Sequence, residues 1–515
     1  MFSKLLPYIC LLSSISAYCQ SQSCADLTKF QLPGFALTIT QSQEVPAQTP
    51  VSDPAQAGNT VSASLPSYCR ADGILDPRTG AEGKHYAIGF AIVLPDNWNG
   101  RFLFQGGGAL NGRIQEPIGK PSAGEVSALA RGFAIVATDS GHQASPFDPS
   151  FFRDQEASLN FSYAAVGKVT VVAKAIVAQY YGKAARYSYF DGCSTGGREA
   201  MLMTQRYPNY FDGVISAAPA MRTGFSGIGD QWVTVTFNQI APKDAAGKAT
   251  GGAFSEADKK LIVDGILKAC DSKDGVLDGM IFNPQACKFD PGALACSGVK
   301  TDSCLSSQQV VAIKKVFAGP KDSLGNQVYP GFFYDTGIAA TEGIHGLLSW
   351  GPSPFGPPHT STQIDVDALA GAAGSDPRAA VTDTTWTNLS TFSGHGGKLI
   401  FYHGMSDPWF SALDTLNYYQ KMASENGGME QAQNWSRMFL VPGMGHCSGG
   451  KATLDSFDML TAMTDWVEKG TAPDFVVASG KSFPGRTRPL CAYPKHAQYT
   501  GQGDPENARN FKCID

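Results

Sequence analysis

Charge is scarce in this sequence. Asp, Glu, Lys and Arg make up 17% of the residues and leave a formal net charge of −5. That balance gives no basic face for nucleic acid or an anionic membrane, so neither is expected as a partner. Long apolar runs are lacking as well: beyond the N-terminus no stretch reads as the roughly 20 residues that span a bilayer. No internal repeat is visible. The glycine loop Gly106-Gly107-Gly108-Ala109-Leu110-Asn111-Gly112 has neither the Lys-Ser/Thr of a P-loop nor GxGxxG spacing. Phosphate-cradle and dinucleotide readings fall with it, and no organic cofactor is expected. What is plentiful is apolar and small: 43% hydrophobic residues and 57 glycines, the make-up of a globular chain. At 515 residues, a large core with a second domain or insertion is expected.

The N-terminus reads as a signal peptide over residues 1–19. Lys4 supplies the positive start, and Leu5 to Ala17 an apolar segment too short for a stable span. Cleavage after Cys19 places Ala17 at −3; cleavage after Ala17 is the alternative. Of the 12 cysteines, the first option removes Cys10 and Cys19 and leaves an even set suited to an oxidising compartment. Sequons at Asn160, Asn388 and Asn434 are candidate glycosylation sites and fit export. A secreted, extracellular protein is expected.

Along the mature chain, Cys24 to about Ser67 reads as an N-terminal β arm, stapled by Cys24–Cys69. Strands are expected at His85–Leu94, Arg101–Gln105, Gly132–Asp139, Arg186–Phe190 and Gly213–Ala217, with a helix over Ala164–Tyr181. This alternation is that of an α/β sheet. It fails between about Met221 and Thr385, where cysteines, Gly and Pro gather around amphipathic pieces at Glu256–Lys268 and Ser306–Phe317. Residues 221–385 are therefore read as an inserted lid domain, and 20–220 with 386–515 as the catalytic domain. Sheet rhythm returns at Lys398–His403 and Arg437–Val441, with helices near 413–424 and 457–469.

Gly192-Cys193-Ser194-Thr195-Gly196 sits between a β-rich run and a helical segment. That context holds a serine on a sharp turn above a parallel sheet; the bland reading is a Gly-rich βα turn. A serine hydroxyl needs a histidine base, and the base needs an acid to hold its tautomer. Asp407 follows the strand KLIFYH and His446 follows RMFLV, so Ser194, Asp407 and His446 occur in the nucleophile–acid–base order expected of an α/β-hydrolase. His142, which precedes the serine, and His403, inside a strand, are read as packing residues. Asp191 is too close to the turn to reach a histidine. The glycine loop after a strand is read as a source of oxyanion-hole N–H groups. Cys193 precedes Ser194 and Cys447 follows His446, so contact between nucleophile and base would bring the two cysteines within disulfide range.

Cys193-Ser194, Asp407 and His446-Cys447, with FQGGGALNG, YFDGCSTGGREA, YHGMSDPWFSALD, FLVPGMGHCSGG, RTRPLCAYP and NFKC, resemble the tannase/feruloyl esterase family over essentially the whole mature chain. The resemblance implies an α/β-hydrolase fold with a large inserted lid, and a serine carboxylesterase. The substrates it implies are feruloyl (hydroxycinnamoyl) esters of plant cell-wall polysaccharides or, alternatively, galloyl esters, as in a tannase. It implies backbone N–H groups of Thr195 and Ala109 as the oxyanion hole. It also implies the pairs Cys24–Cys69, Cys193–Cys447, Cys270–Cys287, Cys296–Cys304 and Cys491–Cys513. Lid aromatics such as Phe332, Phe333 and Trp350 could face the acyl ring. The family's terephthalate-monoester hydrolase carries a lid arginine for the substrate carboxylate; here the short segment from Gly351 to Arg378 offers only Arg378, out of context.

The lid carries a second candidate site. Asp271, Asp274 and Asp278 crowd one Gly-bearing loop, which suits a hard cation or is a solvated acidic turn; it lacks the twelfth-position Glu of an EF-hand. The resemblance implies structural calcium (Ca2+) held by those three side chains and the carbonyls of Val276 and Met280. The expected partner is a small aromatic ester or feruloylated oligosaccharide, acted on by a monomer or homodimer. A reading from a different class is a non-catalytic secreted binding protein on a hydrolase fold.

Overall fold

The computed structural model describes residues 23–48, 63–349 and 360–515. The signal-peptide reading of 1–19 and Trp350 lie outside the described residues.

A nine-stranded mixed sheet organises the chain: β1 (Leu37–Val45), β2 (Tyr68–Thr79), β3 (His85–Pro95), β4 (Arg101–Gln105), β5 (Ala134–Thr138), β6 (Tyr187–Cys193), β7 (Gly213–Ala217), β8 (Lys398–Gly404) and β9 (Ser436–Val441). Its order is β1-β2-β3-β5-β4-β6-β7-β8-β9. The β1, β2, β3 and β5 pairings are antiparallel, whereas β5, β4, β6, β7, β8 and β9 run parallel. β5 and β7 are buried at every residue, which is why they read as unbroken apolar runs. Because β4, β6, β8 and β9 point the same way, the loops at their C-terminal ends open on one edge of the sheet.

β2 is the strand the sequence pattern hides. Asp72, Gly73, Asp76 and Pro77 break its alternation, and its register shifts against β1 between Ile39 and Gln41 and against β3 between Leu75 and Arg78. At Gly73 a Cβ would stand 2.6 Å from the Phe90 ring, so this strand position admits no side chain.

The stretch Gln155–Tyr180 corrects one expectation. With a mean hydropathy of 1.5 it is long and apolar enough to cross a membrane by length and composition. Here 61% of that window is buried, and Val169, Val172, Ala173, Ile176 and Val177 pack with β-strand residues in the main core. Asn160 is a second correction: it is 4% exposed and its Cβ lies against Gly141, so no glycan could be attached to it in this fold. Asn388 and Asn434 are exposed.

Between β7 and β8 the chain builds helices over Thr223–Asn238, Glu256–Cys270 and Ser307–Ala318. The latter two start with capping boxes, Ser255 with Asp258 and Ser306 with Gln309. The first is absent from the sequence reading because its glycines and β-branched residues have low helix propensity. It forms because Val233 and Phe237 bury against Ile262, Ile266 and Ile313 in a cluster separate from the sheet cores. Phe332 belongs to that cluster as well.

Candidate active site

Ser194 sits between β6 and the helix Thr195–Gln205 with φ 64° and ψ −122°, a conformation non-glycine residues rarely adopt. Its N–H donates to Ala217 O at 3.1 Å, tying the turn to β7. The flanking glycines allow the close approach: a Cβ at Gly192 would meet Gly196 backbone at 2.6 Å, and one at Gly196 would meet Gly107 O at 2.7 Å. The strain presents the Ser194 side chain to a cleft of about 1630 Å³.

Asp407 lies just beyond β8 and His446 just beyond β9. His446 Nδ1 stands 2.6 Å from Asp407 Oδ2. Asp407 Oδ1 accepts the N–H groups of Trp409 (2.9 Å) and Phe410 (3.0 Å). Burial pushes the Asp407 carboxyl up, but the charge of His446 and hydrogen bonds from His403 and His446 outweigh it and hold the group well below the usual carboxylate range. With Nδ1 taken by the carboxylate, His446 Nε2 is buried and has no hydrogen-bond partner among the described residues. It lines the same cleft as Ser194, and its ring packs between Trp409 and Phe410 at 4.7 and 5.2 Å.

His403 packs behind the triad acid and hydrogen-bonds it. Its Nε2 lies 3.2 Å from Asp407 Oδ2 and 3.0 Å from Phe410 O, and its Nδ1 2.9 Å from Thr415 Oγ1. Two acceptors at Nε2 and a hydroxyl at Nδ1 assign the proton to Nε2, so His403 donates to Asp407. No periodicity marks this contact, because it depends on the loop after β8 folding back over the strand. His142 stacks on Phe151 at 3.8 Å between ring centroids, and burial lowers it to about 4, leaving it a neutral core ring. Asp191 accepts from Ser122 N at 3.0 Å and Ser122 Oγ at 2.5 Å, and both its oxygens are taken up there rather than by a histidine.

The cysteines beside nucleophile and base are bonded, Cys193–Cys447, with Cα atoms 6.0 Å apart across a sequence separation of 254. The other four bonds are Cys24–Cys69, Cys270–Cys287, Cys296–Cys304 and Cys491–Cys513.

Thr195 and Ala109 meet at the elbow. Thr195 opens its helix, where a backbone N–H has no intrahelical acceptor, and its hydroxyl donates to Ala109 O. Ala109 has φ +52° in the glycine loop. Glu199, absent from the sequence reading, anchors that loop: Oε2 accepts Gly107 N–H at 2.8 Å and Oε1 accepts Asn111 Nδ2 at 2.9 Å. Arg198 donates to Phe161 O and Ser162 O, fixing Phe161 in the cleft wall. The remaining aromatic lining includes Phe147, Phe152, Trp409 and Phe410. Phe332 and Phe333 are not among the lining residues, which corrects the expectation that they face the acyl ring: Phe332 is spent on the lid core.

In the lid loop, Asp271 accepts Asp278 N–H and Gly279 N–H at 3.0 Å each, and Asp274 accepts from Val276 and Phe282. Asp278 Oδ2 pairs with Arg488, and the Met280 N–H donates to Asp278 Oδ1 at 3.1 Å. No group of three or more His, Cys, Asp or Glu side chains among the described residues is arranged to hold a metal ion. Burial, then the charges of Asp278 and Asp271, push Asp274 up to about 7. The loop thus has the oxygen chemistry of a hard-cation site, with one carboxylate already committed to arginine.

The sequence profile of the family described as "Tannase and feruloyl esterase" matches residues 69–351 and 359–514. The mono(2-hydroxyethyl) terephthalate hydrolase of Piscinibacter sakaiensis is 38% identical over 522 residues, covering 88% of this chain and 85% of that protein. A probable feruloyl esterase B-1 of Aspergillus fumigatus is 29% identical over 496 residues, covering 90% of this chain and 89% of the relative. The crystal structure of feruloyl esterase B from Aspergillus oryzae superimposes with a TM-score of 0.78 at 26% identity, covering 95% and 99% of the two chains. The sheet and its strand-end loops are those of an α/β-hydrolase, and the chain is a carboxylic ester hydrolase belonging to the tannase and feruloyl esterase family.

Proposed function

We propose that this esterase is secreted and cleaves feruloyl (hydroxycinnamoyl) esters through Ser194, His446 and Asp407. The observation that carries the reading is the partnerless His446 Nε2 in an aromatic-walled cleft with Ser194. Ser194 Oγ attacks the ester carbonyl while His446 Nε2 takes its proton. The Thr195 and Ala109 N–H groups receive the developing oxyanion, and the proton passes to the departing alcohol. Water, deprotonated by His446, then attacks the acyl-enzyme, releasing the acid and restoring Ser194. Five disulfides and the likeness to fungal feruloyl esterases support an extracellular setting.

Ser194→Ala is expected to lower turnover of methyl ferulate by roughly 10⁴- to 10⁶-fold with an unchanged circular dichroism spectrum. Retained turnover, or failure of wild type to react with a fluorophosphonate serine probe, would sink the assignment. The family description favours galloyl esters as a second reading. The 38% identity to a terephthalate-monoester hydrolase adds that substrate to the comparison, although Arg378 is paired with Asp376 at 2.6 Å and does not line the cleft. Relative kcat/KM on methyl ferulate, caffeate, coumarate and gallate and on the terephthalate monoester ranks the readings. Structural calcium at Asp271, Asp274 and Asp278 is part of the proposal, supported by three carboxylates within eight residues of one loop; holding the ion would require them to turn from their backbone N–H and Arg488 partners.

A further inference from the structure

The cleft lining mixes aromatic side chains, Phe152, Phe161 and Trp409 among them, with polar ones. Much of the polar part is the helix Thr223–Asn238, whose Thr223, Ser226, Gly227, Asp230, Gln231 and Thr234 line the cleft. These positions recur three or four residues apart, so they form one polar stripe, flanked toward the helix C-terminus by Val233 and Phe237, which enter the lid core. The stripe does not face bulk water over most of its length: Ser226, Asp230 and Thr234 are 5%, 9% and 6% exposed. Asp230 is the one carboxyl within it. Its carboxyl has no hydrogen-bond or ion-pair partner among the described residues, and the charge that reaches it is that of Asp407. Burial, then the like charge of Asp407, push Asp230 well above the usual carboxylate range. A neutral carboxyl offers both an O–H donor and a carbonyl acceptor. A carboxyl largely withdrawn from water gains from a hydrogen-bond partner, and no described residue supplies one to Asp230.

We propose that Asp230 is the specificity-determining residue for the acyl ring, hydrogen-bonding a phenolic hydroxyl of the bound ester. The ring packs against the aromatic lining, the phenol O–H donates to the Asp230 carbonyl oxygen, and the acid O–H donates back to an oxygen substituent of the ring. The inference rests on the hydroxyaromatic-ester reading above and names the group that makes the hydroxyl matter. A pocket that hydrogen-bonds a substrate hydroxyl discriminates against the analogue lacking it far more strongly than an apolar pocket does.

The test is the ratio of kcat/KM for methyl p-coumarate over methyl cinnamate, which differ only in that hydroxyl, so that general losses of activity cancel. Wild type should favour the coumarate by about 10²-fold, Asp230→Leu should bring the ratio to about 1, and Asp230→Asn, which keeps a donor and an acceptor, should restore most of it. Melting temperatures show whether each variant is folded; Asp230→Ala, expected to lower the ratio as Leu does, keeps the test usable if Leu is not folded. An unchanged ratio in the folded Leu or Ala variant overturns the proposal alone. A wild type that hydrolyses neither ester overturns the hydroxycinnamoyl reading, and the proposal with it.

Discussion

The two sides of the cleft treat a buried acid in opposite ways. On the strand-end side Asp407 is 1% exposed, and on the lid side Asp230 is 9% exposed. Burial alone would push both up. Asp407 is nevertheless held down, by the charge of His446 and by hydrogen bonds from His403 and His446, while Asp230 is pushed up with only a like charge for company. Asp139 stands between them. It is 1% exposed and accepts from Gly89 N, Gly141 N and Gln143 Nε2, yet it has no cation, and burial takes it to about 7. Partners, rather than depth, decide which buried carboxyl is an anion. One fold thereby keeps an anion to steady the base and, on the lid side of the cleft, a carboxyl biased toward its neutral form.

Breaking the anionic side should have the largest effect. Asp407→Asn removes the charge that steadies the His446 imidazolium, and the amide can present N–H to Nδ1 and favour the wrong tautomer. kcat on methyl ferulate should fall about 10⁴-fold with an intact fold. A loss of tenfold or less would mean that another acceptor takes the place of Asp407 at His446 Nδ1. The lid loop sharpens the comparison from the other direction, since its carboxylates would acquire a partner by binding an ion. Returning calcium to chelator-treated protein should raise stability by about 2.7 kcal/mol at a hundredfold excess over Kd, read from urea unfolding. No change up to millimolar calcium would remove the ion from the proposal.

Asp139 gives the smallest effect, and its sign follows from a raised folded pKa. The stability it contributes is full below the unfolded value of 3.8 and is lost as pH rises through about 7. Between about pH 6 and 8 this single group should cost about 1.4 kcal/mol. Asp139→Asn should flatten that part of the profile, and an equal slope in wild type and variant would show that Asp139 is ionised throughout.

Much of this was legible in the chain. β5 and β7 are apolar runs bounded by turns, so their neighbours in sequence announce them. The elbow is local too: its glycines, Ser194 and the helix after it lie within a few residues, and the strain at Ser194 follows from that turn. Strand-end positions for Asp407 and His446 come from reading two apolar runs and the Gly-rich loops behind them. β2 was lost because two aspartates, a glycine and a proline mask a strand kept in place by its neighbours on both sides. The helix Thr223–Asn238 was lost because its residues are poor helix formers, stabilised by the lid core.

By itself, then, the sequence determined the local devices: the sheet rhythm, the nucleophile turn and the order of nucleophile, acid and base. These depend on spacing and turn chemistry among near neighbours. Only the tertiary structure decided burial and partnership. It turned His403 onto Asp407, closed Asn160 inside the fold, took Phe332 away from the cleft, and left Asp230 facing the cleft with no partner among the described residues. Each of those outcomes depends on groups brought together by packing, and the free energy of a polar group is set by whatever surrounds it after the chain has folded.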